Sequence, residues 1–217
     1  MNGVRTELGE VQETLLIPLY GRARDADARH SVLGDQRAAQ LVAEIDYDFT
    51  RFKGLSLSGS VLRTAIFDGW VRQFLDECPD ATVVEIGTGL NTRFDRLDNG
   101  RVHWFDVDLP DLIALRRRFF SDEPRRTMLA GSALDTEWFD VIAASPRPYL
   151  CVCEAVSVYL SAQHVHGVVA ALAERFDGSL AHLRHRRGHD DAEPAPQRGD
   201  EAGRRPYAMG LRRPPRA

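Results

Sequence analysis

The sequence predicts an α/β protein built on a parallel, Rossmann-like sheet with helices on both faces. Three observations lead there. Between residues 82 and 180, short runs rich in β-branched and aromatic residues alternate with stretches of helical periodicity, the pattern of strands joined by crossover helices. The run Val83-Val84-Glu85-Ile86 enters a turn holding Gly87 and Gly89, then polar residues able to open a helix. Three acidic residues, Glu85, Asp108 and Glu154, fall at the ends of predicted strands, where a parallel α/β sheet binds its ligands.

The elements follow in order. Leu8, Val11, Leu15, Leu16 and Leu19 have helical spacing over residues 5–22, and Pro18 predicts a kink or an end there. Ala38, Leu41, Val42 and Ile45 mark a second helix over 35–45, and Asp46-Tyr47-Asp48-Phe49 leads into a loop. The clearest amphipathic helix covers 59–77, with Val61, Ile66, Trp70, Phe74 and Leu75 inward, Arg63, Arg72 and Asp76 among its polar residues, and Cys78-Pro79-Asp80 as its stop. Strand 82–86 then leads to the glycine turn. Strand 102–107 precedes a helix with Leu112, Ile113, Leu115 and Phe119 apolar and Arg116, Arg117 and Arg118 outward. A short strand at 127–130, a short helix or turn at 136–143, and strand 149–154 come next. Ser161 caps a last helix running to about Phe176, with Val165, Val168, Val169 and Leu172 apolar. No internal repeat is visible.

Composition narrows the function classes. The 217 residues suffice for one α/β domain with a sizeable core. No apolar run approaches about 20 residues, so no membrane span is expected. The first residues lack a basic head followed by an apolar run, so no signal peptide is expected. Three cysteines fit a reducing, cytoplasmic setting rather than a disulfide framework. Cys151 and Cys153 read as small core residues of a buried strand. The net charge of -4 divides unevenly: residues 181–217 carry nine Arg against five Asp and Glu, leaving the body acidic. An acidic body gives no reason to expect a nucleic-acid partner.

The glycine turn fits two cofactors. Asp108 lies 21 residues past Gly87, placed to accept hydrogen bonds from ribose hydroxyls. A dinucleotide site would continue G-x-G-x-x-G, and its third position here is Thr92. The acidic residue before the glycines, E-x-G-x-G, favours S-adenosylmethionine instead, whose ammonium, carboxylate and sulfonium need partners. A purely structural glycine turn is the plain alternative.

A wider pattern is more specific. Glu-Thr-Leu-Leu-Ile-Pro-Leu-Tyr-Gly-Arg-Ala (13–23), Leu-Arg-Thr-Ala-Ile-Phe-Asp (62–68), Glu-Ile-Gly-Thr-Gly-Leu-Asn-Thr-Arg (85–93), Trp-Phe-Asp-Val-Asp-Leu-Pro-Asp (104–111) and Cys-Glu-Ala-Val-Ser-Val-Tyr-Leu (153–160) occur in order. Over roughly residues 10–180 they resemble the leucine carboxyl methyltransferase family, including bacterial members associated with polyketide O-methylation. The resemblance implies a Rossmann-like class I methyltransferase sheet (81–180) with an N-terminal helical lid (1–80). It implies S-adenosylmethionine as cofactor and a small-molecule carboxylate or hydroxyl as methyl acceptor. It implies that Arg63 pairs with the methionine carboxylate, with Arg22 assisting, and that Gly87 and Gly89 pass beneath the methionine. Asp108 would hold the ribose, Ser132 and Ala133 the adenine, and Glu154 would face the ammonium. A family aspartate is replaced by Ser132 here, which weakens that contact. Methyl transfer to a carboxylate needs no base near neutral pH, since such a group ionises at about 4, so no catalytic residue is assigned. His103, His164 and His166 read as structural or surface residues.

The last stretch breaks the pattern. After Gly178-Ser179-Leu180-Ala181 a fifth strand should continue, followed by a helix and two more strands. Residues 181–217 contain no Val, Ile, Phe, Trp or Cys, and five prolines, a composition that reads as a disordered basic tail. Read one base on, with GC-rich wobble choices, this stretch yields a stop-free string with a strand ending FDTAG, so a frameshift near codon 181 is the expectation. The fold would then lack its C-terminal strands, with low stability and little activity. A non-catalytic remnant or nucleoside-binding module is the alternative function, and a nicotinamide-dependent oxidoreductase a third.

Overall fold

The computed structural model describes residues 14–176 and the strand at 180–183. One parallel sheet runs in the order β3-β2-β1-β4-β5, formed by β1 Thr82–Ile86, β2 His103–Asp108, β3 Arg126–Ala130, β4 Tyr149–Cys153 and β5 Leu180–Leu183. The register sets Val83 beside Trp104 and Leu150, and Val84 beside Phe105 and Cys151. Every residue of β1 and β4 is buried, as central strands covered on both faces must be. The chain steps from β1 outward to β2 and β3, then returns to the other side of β1 for β4. That reversal opens a crevice at the carboxyl ends of β1 and β4.

Each face has its own core. On one, Val84, Val107 and Cys151 meet Trp138, Ile142, Leu172 and Phe176 from α6 (Phe139–Ala143), α7 (Ala162–Arg175) and their flanks. On the other, Val83, Trp104 and Val152 meet Phe67, Val71 and Phe74 of α3 (Leu55–Glu77) and Phe94 of α4 (Arg93–Leu97). Full burial of each such side chain contributes about 1.5–3 kcal/mol. A third cluster joins α1 (Leu16–Ala26) and α2 (Gln36–Glu44) to Leu90 of the glycine turn, to Ile113 of α5 (Pro110–Arg116) and to Phe119 and Phe120. Cys151 and Cys153 lie in the core, where burial pushes both thiols up to about 12.

The expected elements are present with shifted edges. Pro18 neither kinks nor ends α1. It stands in the first turn, where the backbone N–H groups have no intrahelical acceptor to lose. Leu8 and Val11 lie outside the described residues. Asp35 caps α2 by accepting the Ala38 N–H at 3.0 Å, and Ser161 caps α7 by accepting the His164 N–H. The helix expected over 59–77 starts at Leu55. Ile66 does not face inward: it is 54% exposed. Five residues past Val61 it has turned about 140° from the inner stripe. That stripe includes the polar Thr64 and Asp68, which an apolar count skips. Arg116 is not outward either, being 1% exposed. Its guanidinium pairs with Asp106 at 3.0 Å and donates to the Gly89 carbonyl at 2.8 Å. The tail expected to be disordered from residue 181 is ordered at its start, where residues 181–183 complete β5 against β4, since backbone pairing on a sheet edge does not need β-branched side chains. Its remainder, with the expected altered frame, lies outside the described residues.

Candidate functional site

The crevice is a cavity of about 860 Å³, within the range that holds a small-molecule ligand. Arg63, Glu85, Gly87, Gly89, Asp108, Ser132, Ala133 and Glu154 all line it. They come from α3, from the ends of β1, β2 and β4, and from the loop after β3. Residues far apart in sequence converge because parallel strands deliver all their carboxyl ends to one edge.

The glycine turn forms part of the wall, and the backbone there leaves no room for side chains. Gly87 has φ +70°, and a Cβ on it would lie 2.0 Å from Val156 Cγ2. Gly89 has φ +49°, and a Cβ would stand 3.0 Å from Leu15 Cδ2. Both angles belong to the left-handed region that glycine enters freely. The turn is held from below. Asp106 accepts the Thr88 hydroxyl at 2.9 Å, while Arg116 bridges Asp106 to the Gly89 carbonyl. Burial would raise the Asp106 carboxyl, but Arg116 and Arg126 outweigh it and hold it below the usual range.

Asp108 accepts the Gly89 N–H on Oδ2 at 2.7 Å and the Leu109 N–H on Oδ1 at 2.8 Å. Burial leaves its carboxyl above the usual range despite these donors. Each of its oxygens keeps acceptor capacity for a further donor. Ser132 and Ala133 follow β3, with the Ser132 backbone N–H bound to Asp135 and its carbonyl accepting the Trp138 indole N–H at 3.0 Å.

The acidic wall is an ion-pair cluster. Arg93 is 0% exposed. It pairs with Asp68 at 2.8 Å through Nε, with Glu85 through Nη1 and with Glu154 through Nη2. Glu154 also accepts Arg63 Nε at 2.8 Å and the Thr64 hydroxyl at 2.9 Å. Burial would raise Glu154, yet Arg93 and Arg63 hold it at about 2. Glu85 accepts Asn91 Nδ2 at 2.8 Å on the oxygen that Arg93 also binds. Its other oxygen, Oε2, is buried and has no hydrogen-bond partner among the described residues. Burial pushes Glu85 up to about 7 against the pull of Arg93, with Asp106 and Glu154 adding to the rise.

Arg22 also lines the cavity, but it is committed elsewhere: Nε binds Asp35 at 3.0 Å and Nη2 binds the Leu90 carbonyl at 2.9 Å. Burial lowers its guanidinium to about 10. Thr92, at the third position of the glycine pattern, is buried with its hydroxyl on Asp35. Beyond Glu154, Ala155 adopts φ +64°, which costs a non-glycine residue roughly 1–2 kcal/mol. The turn at Ser157–Tyr159 follows, and the Tyr159 hydroxyl lies 3.2 Å from that of Thr14 at the cavity wall.

Sequence reasoning missed Arg93, Asp68 and Thr64 as parts of the site. A signal for two of them exists. Ser60, Thr64 and Asp68 recur every four residues along the buried face of α3, and polar groups on such a face need buried partners.

The chain matches the model of the family described as leucine carboxyl methyltransferase over residues 16–173. It is 37% identical over 161 residues to the tetracenomycin polyketide synthesis O-methyltransferase TcmP of Streptomyces glaucescens, covering 73% of this chain and 59% of that protein. It therefore spans less than two thirds of that relative's length. It is 32% identical over 204 residues to the S-adenosyl-L-methionine-dependent methyltransferase dpfgK of Gibberella zeae, covering 82% of this chain and 67% of that protein. Among solved structures, the S-adenosylmethionine-dependent methyltransferase SibL in its apo form aligns with a TM-score of 0.41 at 12% identity, over 79% of this chain and 56% of that chain.

Proposed function

Because this chain belongs to the leucine carboxyl methyltransferase family, we propose that its cavity binds S-adenosylmethionine for methyl transfer to an oxygen of a small molecule. The observation that carries the reading is Glu85 Oε2, a buried oxygen of a cavity-lining residue that has no hydrogen-bond partner among the described residues. An uncompensated buried acceptor fits a cationic ligand group.

The residues present fit such a ligand. Glu85 is the acceptor for the ammonium. Glu85 is placed ahead of Glu154 in that role because its Oε2 takes no donor among the described residues, whereas each Glu154 oxygen already takes a guanidinium. Glu154 instead holds Arg63, whose Nε it occupies. The terminal nitrogens of Arg63 have no partner among the described residues and suit a carboxylate. Asp108, with acceptor capacity left on both oxygens, takes the ribose hydroxyls. Ser132 and Ala133 flank the adenine. Gly87 and Gly89 let the methionine approach the backbone.

The bound cofactor supplies an electrophilic methyl group on its sulfonium. The protein orients it and excludes water, which are the contributions that such chemistry needs. No residue is assigned as a base, since a carboxylate acceptor arrives ionised. Leu109, Leu112, Val158 and Tyr159 also line the cavity and suit an acceptor with an apolar body; a carboxylate on it reacts without a base, whereas a hydroxyl would first have to lose its proton.

Calorimetric titration tests the reading. S-adenosylmethionine and S-adenosylhomocysteine bind at one site per chain, and NAD does not. Binding of NAD in preference to both would overturn it.

A further inference from the structure

We propose that Arg93 is the positioning residue of this site, its one guanidinium fixing two cavity carboxylates, Glu85 and Glu154, and tying both to Asp68 on α3. The inference rests on the methyl-donor reading and goes beyond it, since Arg93 itself is not among the residues lining the cavity.

Three elements meet at this side chain. Asp68 comes from α3, Glu85 from β1 and Glu154 from the turn after β4. Arg93 opens α4, directly after the glycine turn. Its planar fork presents three nitrogens in fixed directions, and each has one carboxylate. A lysine could satisfy one of these at a time. The guanidinium carbon lies 5.8 Å from the centroid of the Phe67 ring, within the range of a cation–π contact.

The three acids depend on Arg93 unequally. Asp68 also has Arg96, at 2.8 Å. Glu154 also has Arg63 and Thr64. Glu85 has Asn91 and no second cation in contact among the described residues. Arg93 is therefore the one cation in contact with Glu85 among the described residues; with Asn91 it fixes where that carboxyl points, and it opposes the burial that disfavours its ionisation. The other charged groups facing Glu85 are Asp106 on β2, Arg116 on α5 and Glu154. Asp106 and Glu154 oppose its ionisation, and Arg116 is itself held by Asp106. A ligand ammonium settling on Glu85 favours the carboxylate, so affinity is held at alkaline pH and falls as Glu85 takes up a proton.

The test is binding of S-adenosylhomocysteine by calorimetry from about pH 6 to about pH 8. The proteins are the wild type, Arg93→Lys and the charge-balanced double variant Arg93→Met with Glu85→Gln. Wild-type affinity is expected to fall toward acid. Arg93→Lys should bind about tenfold or more weakly at every pH, from lost charged hydrogen bonds, while keeping the acid-side fall. The double variant should bind weakly with a flat pH profile. An Arg93→Lys protein that matches the wild type in affinity and profile overturns the assignment alone. Wild-type protein that binds neither S-adenosylhomocysteine nor S-adenosylmethionine overturns the donor-site reading and the assignment with it. If neither variant folds, a crystal structure of the wild type decides: Arg93 in contact with Glu85, Glu154 and Asp68 together supports the assignment, and a guanidinium away from either cavity carboxylate overturns it.

Discussion

Gly87 and Val156 occupy space that only one of them can fill: a Cβ on Gly87 would lie 2.0 Å from Val156 Cγ2. The contact joins the end of β1 to the turn after β4, the two sides of the crevice. Gly87→Ala must therefore displace Val156 and strain the φ of +70°, costing roughly 1–2 kcal/mol from the backbone alone. The expected result is a lower urea midpoint together with loss of S-adenosylhomocysteine binding. Gly59→Ala, with nothing near its Cβ, is the control and should bind normally.

Asp108→Ala removes the acceptor of the Gly89 and Leu109 N–H groups as well as the proposed ribose partner. Affinity for S-adenosylhomocysteine should drop about tenfold or more, since charged hydrogen bonds contribute about 1.5–3 kcal/mol each. Adenosine alone should lose affinity in proportion, because it keeps the ribose. Equal affinity of variant and wild type for adenosine would show that the ribose lies elsewhere.

Asp106 carries the charge balance beneath the glycine turn. Its carboxylate pairs with Arg116 and with Arg126, and all three side chains are buried. Asp106→Asn leaves two buried guanidinium groups undercompensated and should cost about 3–5 kcal/mol. Chemical denaturation reads this directly. A loss below about 1 kcal/mol, the scale of a surface pair, would contradict the burial described.

Glu154 gives an acid-stability signature. Its folded pKa, about 2, lies below the ordinary 4.5. The unfolded chain therefore binds the proton first as pH falls, and the stabilisation present above about pH 4.5 is lost as pH approaches 2. Thermal melts over this range should show a shallower acid dependence in Glu154→Gln than in the wild type. Identical slopes would mean that Arg63 and Arg93 do not hold this carboxylate in solution.

The sheet and the ligand edge were legible because both rest on local pattern. Val83, Val84 and Ile86 are apolar for burial on both faces, and Glu85, Asp108 and Glu154 interrupt apolar strands where those strands end. The partners of these acids were less legible. Arg116 and Arg93 look like solvent-facing residues in sequence, since an arginine carries no mark of burial until its carboxylates are placed. Asp106 is separated from Arg126 by 20 residues, and Asp68 from Arg93 by 25. Such pairings are set by the sheet order, not by spacing along the chain. Ile66 failed for the opposite reason. It is apolar, yet the inner stripe of α3 admits Thr64 and Asp68 because Glu154, Arg93 and Arg96 lie there to receive them.

The donor site can be seen directly in a crystal structure of the protein grown with S-adenosylhomocysteine. Density is expected in the crevice between β1 and β4, with the ammonium on Glu85, the carboxylate on Arg63 and the ribose hydroxyls on Asp108. Ligand bound at another surface, or an empty crevice at saturating ligand, would contradict that site.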